Sequence, residues 1–204
     1  EGPAPGFGAI DACPALDALL VAATPSFVDN ALDFGTNAYD DADLTLLTAG
    51  AQEVLADGTA GGSSGLSEAF AFEVLARCEG AVLYKSETEV IYDVAGTKLT
   101  DLVVDIGTDR YGVSVVRALT FPRGGVYDPA EATRLLTKKL GDIQISSANV
   151  SDADAWDKQV LAVIADTTEY ADVWRTAWEA LSAELKADTV VYVTVTNGAD
   201  DPIY

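Results

Sequence analysis

The stretch Thr100–Arg117, TDLVVDIGTDRYGVSVVR, constrains this chain more than any other. Two strand-like runs flank Gly107–Arg110, a tight-turn signal, so the segment reads as a β-hairpin. Asp101 stands at the start of the first strand, and Ser114, Val116 and Arg117 lie in the second. What surrounds the hairpin then decides the fold class. Upstream, Leu66–Gly80 has Ser67 as an N-cap, an apolar stripe of Leu66, Phe70, Val74 and Leu75 continued by Cys78, and Gly80 as a stop, which predicts a helix. The runs AVLYK and TEVIYDV after it read as strands. Downstream, Asp128-Pro129 opens a helix through Leu140 or beyond that carries Arg134, Lys138 and Lys139. A strand is expected at Lys158–Ala165 and another at Thr189–Thr196. An amphipathic helix, Thr168–Leu185, separates them, with Trp174 and Trp178 four apart on its packing face. Helices and strands interleaved in this way predict an α/β fold, a mixed central β-sheet flanked by helices.

The first third is expected as an N-terminal extension on that core. Residues 1–11 read as a flexible linker. A helix is predicted over Ala12–Ala23, stopped by Pro25. Strands at Phe27–Phe34 and Thr45–Leu55 are expected on either side of the acidic turn NAYDDAD. The Gly- and Ser-rich segment Asp57–Gly65 marks the boundary, so 12–64 is assigned to the extension and 65–204 to the core domain.

Composition narrows the chemistry. Thirty-three acids against twelve bases give a net charge of −21, a field that repels phosphate backbones at long range. Histidine is absent, which removes the usual general base and excludes a Ser-His-Asp hydrolase. Any catalysis must use carboxylates, Lys, Arg, Tyr or a hard cation. The two cysteines, Cys13 and Cys78, are expected to form one disulfide, and two thiols without histidine are too few for a zinc site. The missing methionine and the linker-like opening predict a chain whose leader has been removed, hence a secreted or extracytoplasmic location. No apolar run approaches the ~20 residues of a membrane span. Asp40, Asp41 and Asp43, and separately Asp152, Asp154 and Asp157, are acidic groupings with the oxygen chemistry of calcium sites, though solvated turns explain both.

The helix Leu66–Gly80, SEAFAFEVLARCEGAVL with its following strand, and the hairpin after it together resemble the core of the PD-(D/E)xK nuclease superfamily, especially its Holliday-junction-resolvase-like and restriction-endonuclease-like members. The resemblance spans roughly Leu66 to Thr196. It implies a restriction-endonuclease-like core in which a first helix supplies a Glu, one strand an Asp, and the next strand (D/E)-x-K. Glu68 matches the helix acid, with Glu73 as the second choice, and Asp101 matches the motif Asp. Both would be ligands of Mg²⁺ or Mn²⁺. Thirteen positions after Asp101 the acidic position reads Ser114, and the lysine position reads Val116. Arg117 points to the other strand face and is a poor substitute. Lys138 or Lys139 from the next helix would have to replace the lysine.

The expectation is therefore a non-catalytic binding module on a degenerate nuclease-like scaffold, with a protein or small-molecule partner. One alternative is a metal-dependent phosphodiesterase or nuclease with a relocated lysine, acting on nucleic acid. Another is a calcium-stabilised structural domain.

Overall fold

Seven strands form one sheet in the computed structural model, which describes residues 2–60 and 62–204. Glu1 of the expected linker and Gly61 of the Gly-Ser segment lie outside the described residues. In chain order the strands are β1 (Ala9–Ile10), β2 (Ser26–Asp33), β3 (Val82–Ser86), β4 (Leu102–Ile106), β5 (Asp109–Ala118), β6 (Lys158–Ala165) and β7 (Val190–Asn197). The helices are α1 (Asp17–Val21), α2 (Ala49–Asp57), α3 (Gly65–Glu79), α4 (Pro129–Asn149), α5 (Thr168–Ala180) and α6 (Ala183–Lys186). The spatial order is β1-β2-β7-β6-β5-β4-β3. Strands β3, β4 and β5 form an antiparallel meander, and β5, β6, β7 and β2 run parallel. The fold is α/β with a mixed sheet flanked by helices.

The hairpin closes as β4 and β5 through Gly107-Thr108, with Ile106 opposite Asp109 and Leu102 opposite Val113. Gly107 has φ +63°, a left-handed conformation that a side chain resists, so the turn selects glycine here. Alternation then sorts the sheet's side chains between two cores. Leu102, Val104, Val113, Val160, Ala162 and Tyr192 face α3, which is braced by α2. Leu161, Val163, Ala165, Val191 and Val193 face α4 and α5, where Trp174 and Trp178 are buried. All eight residues of β6 are buried because helices cover both of its faces.

Three expected elements change. The strand expected at Thr45–Leu55 is instead a 3-10 turn over Asp41–Leu46 followed by α2. Asp40 caps the turn by accepting from the Ala42 N–H at 2.8 Å, and Asp43 answers by accepting from the Asp40 N–H. Beyond it, Ala51 and Val54 are the buried residues of α2, three apart on one helix face. The run TEVIYDV is irregular, with Tyr92 making a single bridge to Val150. Its Ile91 N–H donates to Asp154 at 2.7 Å, while the Ile91 carbonyl accepts from the Ser151 N–H at 3.0 Å and the Asp93 N–H donates to the Asn149 carbonyl at 2.9 Å. The helix expected over Ala12–Ala23 is only the five residues of α1.

The extension is built into the same sheet, because β2 lies beside β7 in parallel register from Ser26↔Val190 to Asp33↔Asn197. The segment read as a linker is held by α3. The Arg77 guanidinium, buried at 7% exposure, donates to the carbonyls of Ala4 (2.8 Å), Phe7 (2.8 Å) and Gly8 (3.1 Å). Phe7 is thereby seated edge-on against Phe34, Tyr39 and Phe70. Next to Arg77 in sequence, Cys78 is disulfide-bonded to Cys13, with a Cα–Cα distance of 5.2 Å. Arg77→Ala leaves three carbonyls without their charged donor, and a loss of about 2–3 kcal/mol is expected. For a chain of this size that lowers Tm by roughly 5–10 °C. Thermal melts, with amide exchange reporting faster opening of residues 4–10, check it.

Candidate active site

The N-terminal end of β4 gathers the groups with chemistry. Asp101 immediately precedes β4, and its N–H donates to the Val113 carbonyl at 3.1 Å. Strand β5 continues past this point without a partner on that side, and the Asp101 carboxylate fills the gap by accepting from the Val115 N–H at 2.6 Å. Glu68 arrives from the first turn of α3, where the helix N-terminus favours a carboxylate, yet its residue is only 2% exposed. Burial pushes its carboxyl up to about 7; the Ser64 side chain lowers it, Asp101 and Glu87 raise it further, and the Lys139 amine opposes them. Lys139 comes from α4, with its Nζ 3.5 Å from Asp101 Oδ2. The side chains of Lys139 and Asp101 keep 24% and 17% of their exposure, so the cluster meets solvent through them.

Two contributors went unnoticed in the sequence. Glu87 follows the Ser86↔Leu102 pair and so stands beside Asp101; it also accepts from the Ala60 N–H at 2.8 Å, tying down the Gly-Ser segment. Tyr92 accepts from the Thr100 N–H at 2.8 Å, and burial pushes its hydroxyl up to about 12. Neither has a local signature. Glu87 is one acid among many, and the segment bearing Tyr92 looked like a strand.

The other candidates separate from this cluster. Ser114 is buried in β5, cross-strand from Asp101 by register, and adds no charge. Lys138 turns away to the exposed surface and pairs with Asp142 at 2.5 Å, because successive helix positions point about 100° apart. Arg117 does not join the site, since its guanidinium donates to the Tyr204 carbonyl at 3.2 Å. Glu73 is fully buried and accepts from the Thr48 N–H and hydroxyl, which makes it a cap for α2.

Four of the six acids considered for calcium have structural duties. Asp40 and Asp43 cap the 3-10 turn. Asp154 is 1% exposed and accepts from Lys85 Nζ at 2.7 Å on both oxygens. Burial alone would raise its carboxyl, but Lys85 and the Ile91 N–H overcome that and hold it below the usual range. Asp157 accepts from the Arg110 N–H at 3.2 Å. Glu53, Asp57 and Glu89 form an exposed acidic trio, within which Asp57 accepts from the Ser86 hydroxyl. A depression of about 580 Å³ between Leu119 and Glu131 contains none of the clustered groups. Chemistry, rather than cavity size, identifies the site.

Glu68 and Glu79 predict a pH dependence. Glu79 is also pushed up to about 7, first by burial and then by Asp17, against the Leu16 backbone that favours its charged form. A carboxyl whose folded value lies above its unfolded value binds more protons in the folded state across the interval. Stability at these two groups therefore falls as pH rises from about 4.5 to 7, then levels off. Melts over that range should show a flatter decline for Glu68→Gln/Glu79→Gln than for the parent, and an equal slope would contradict the assignment.

Among known proteins, the AAC-rich mRNA clone AAC4 protein of Dictyostelium discoideum is 40% identical over 154 residues. The match covers 72% of this chain and 22% of that protein, so the chain spans under a quarter of its relative's length. No family model matches. No solved structure matches.

Proposed function

We propose that the chain is a divalent-metal-dependent phosphodiester hydrolase of the relocated-lysine kind, acting at Glu68, Asp101 and Lys139. One observation carries this reading: the 3.5 Å approach of Lys139 Nζ to Asp101, beside a buried Glu68 that feels both. Three separate elements, α3, the start of β4 and α4, deliver an acid, an acid and an amine to one place.

The donor set fits a hard cation. Glu68 and Asp101 are oxygen ligands, and two carboxylates with several retained waters suffice for Mg²⁺ or Mn²⁺. Oδ2 of Asp101 takes the Val115 N–H and the Lys139 amine, which leaves Oδ1 for a ligand. Burial makes the Glu68 negative charge costly without a cation, so proton loss and metal binding are coupled and affinity rises as pH passes about 7. When bound, the cation supplies an activated water and neutralises charge developing on the phosphate. Asp101 is oriented by the β5 backbone and in turn orients the Lys139 amine. That amine can hold the attacking water or the phosphate oxygen, the task that a lysine in the strand performs in the resembling family. Tyr92, through Thr100, sets the backbone from which Asp101 projects.

A second reading, a non-catalytic binding module on the same scaffold, is favoured by Ser114 and Val116 at the two substituted positions. Mg²⁺- or Mn²⁺-dependent cleavage of DNA or RNA separates the two readings. Activity lost in Asp101→Asn supports the hydrolase, whereas wild-type protein inert toward both polymers with both metals supports the binding module. The Cys13–Cys78 disulfide favours an oxidising, extracytoplasmic setting for either one.

A further inference from the structure

The loop after β5 keeps two apolar side chains in water. Phe121 and Val126 are each 97% exposed, more than any other large hydrophobic residue among the described ones. The loop that carries them is firmly built. Thr120 Oγ1 donates to the Pro122 carbonyl at 3.0 Å and accepts from the Gly125 N–H at 3.0 Å. From α5 the Tyr170 hydroxyl donates to the Gly125 carbonyl at 2.6 Å, and its ring stacks on buried Tyr127 at a centroid distance of 4.9 Å. Two apolar tips on such a base leave surface for a partner to bury, and their backbone has little freedom left to lose on binding. Both tips line the depression of about 580 Å³ between Leu119 and Glu131. Its charge is one-sided. The lining carries Arg123, Asp128 and Glu131; Arg123 pairs with Asp166, Asp200 and Asp201, and Glu131 pairs with Arg134. Five acids against two bases leave −3 around the depression, and the Asp201 side chain is 89% exposed.

We propose that this loop is a docking surface for a cationic amphipathic segment of a partner protein. Apolar side chains of that segment cover Phe121 and Val126, while its Lys or Arg side chains meet Asp128 and Asp201. Charge complementarity selects this occupant. A second copy of the chain, at −21, or a nucleic-acid strand would bring negative charge to a negative surface. Arg123 offers them no free cation, because three carboxylates surround it. The mode is that of an amphipathic segment laid in a groove, where apolar anchors supply affinity and charge supplies encounter rate and specificity. The surface shares no residue with the cluster of Glu68, Asp101 and Lys139, so the proposal stands independently of the hydrolase reading.

Fluorescence anisotropy with a labelled leucine–lysine peptide of helical repeat, and with its leucine–glutamate counterpart, tests this. The parent should bind the first and not the second. Phe121→Ser/Val126→Ser alters only solvent-facing side chains and should raise Kd about tenfold or more, since burying even one such side chain is worth that factor. Asp128→Asn/Asp201→Asn should weaken binding several-fold at low salt and flatten its salt dependence. Asparagine still accepts from the Ala130 N–H, so the start of α4 is kept. Amide exchange of the complex should show new protection within residues 119–131. An unchanged Kd in Phe121→Ser/Val126→Ser means that charge alone holds the peptide at any acidic face, and it overturns the proposal. Equal binding of both peptides, or binding of neither, overturns it too. So does a parent that binds phosphatidylcholine vesicles through Phe121 and Val126 but not the leucine–lysine peptide.

Discussion

If the chain is the proposed hydrolase, Asp101→Asn is expected to lower metal-dependent phosphodiester cleavage by on the order of 10³-fold or more while leaving the fold in place, because it removes charge without removing the hydrogen-bond acceptor. The asparagine oxygen still accepts from the Val115 N–H, so the end of β4 keeps its attachment to β5. What disappears is half of the two-carboxylate donor set and the counter-ion of Lys139. Stabilisation of charge developing on a phosphate amounts to several kcal/mol, which sets the size of the loss. Asp101→Ala is a harsher test, since it also leaves a backbone N–H unpartnered at a cost of about 1–3 kcal/mol. Lys139→Met should reduce kcat by roughly 10²–10³-fold with little change in Mn²⁺ affinity, because the proposed role of the amine is toward water or phosphate and not the metal. Lys139→Arg should recover only part of the activity, since a planar guanidinium does not replace a compact ammonium. Single-turnover cleavage and Mn²⁺ titration measure the two quantities separately. A Lys139→Met enzyme as fast as the parent would remove the lysine from the mechanism.

Loss of the disulfide gives the largest expected change in stability. Cys13 and Cys78 are 65 positions apart, and cross-linking so long a loop removes much of the freedom of the unfolded chain. The loop-entropy relation assigns about 4 kcal/mol to a closure of this length. For about two hundred residues this corresponds to a Tm lower by roughly 8–16 °C in Cys13→Ser/Cys78→Ser, or in the reduced parent. The Arg77 contacts with Ala4, Phe7 and Gly8 hold the same N-terminal segment to the same helix, so the two effects are coupled. Combined with Arg77→Ala, the disulfide variant should lose less than the sum of the two, because a segment released by one change has less left to lose from the other. Equilibrium unfolding in urea, with and without reductant, gives the four corners of that cycle. Strict additivity would show that the two attachments work independently.

The elements that could be read from the sequence are those whose signals are local. The Asp128-Pro129 start of α4, the Gly80 end of α3 and the Gly107 turn each rest on backbone preferences of one or two residues. The strand β6, buried on both faces, announces itself as an unbroken apolar run. The misread segment Thr45–Leu55 failed for an equally physical reason. Its apolar residues fit a strand as well as a helix, and what selected the helix was burial of Ala51 and Val54 against α3, together with the Asp40 capping box before it. In TEVIYDV, β-branched and aromatic residues suggested a strand, but the Asp154 carboxylate claims the Ile91 N–H that a neighbouring strand would otherwise meet.

The site divides along the same line. By itself the sequence determined that Glu68 lies in a first helical turn, that Asp101 opens a strand, and that no acid or lysine stands at Ser114 and Val116. Those are matters of residue identity and local spacing. Only the tertiary structure decided between Lys138 and Lys139. They are neighbours in sequence, and the roughly 100° turn between successive helix positions sends one to Asp142 and the other to Asp101. It alone placed Glu87 beside Asp101, since that depends on the register of β3 against β4. It alone sent Arg117 to the Tyr204 carbonyl, 87 residues away. Charge meets charge here through contacts between distant elements, and no periodicity along the chain records them.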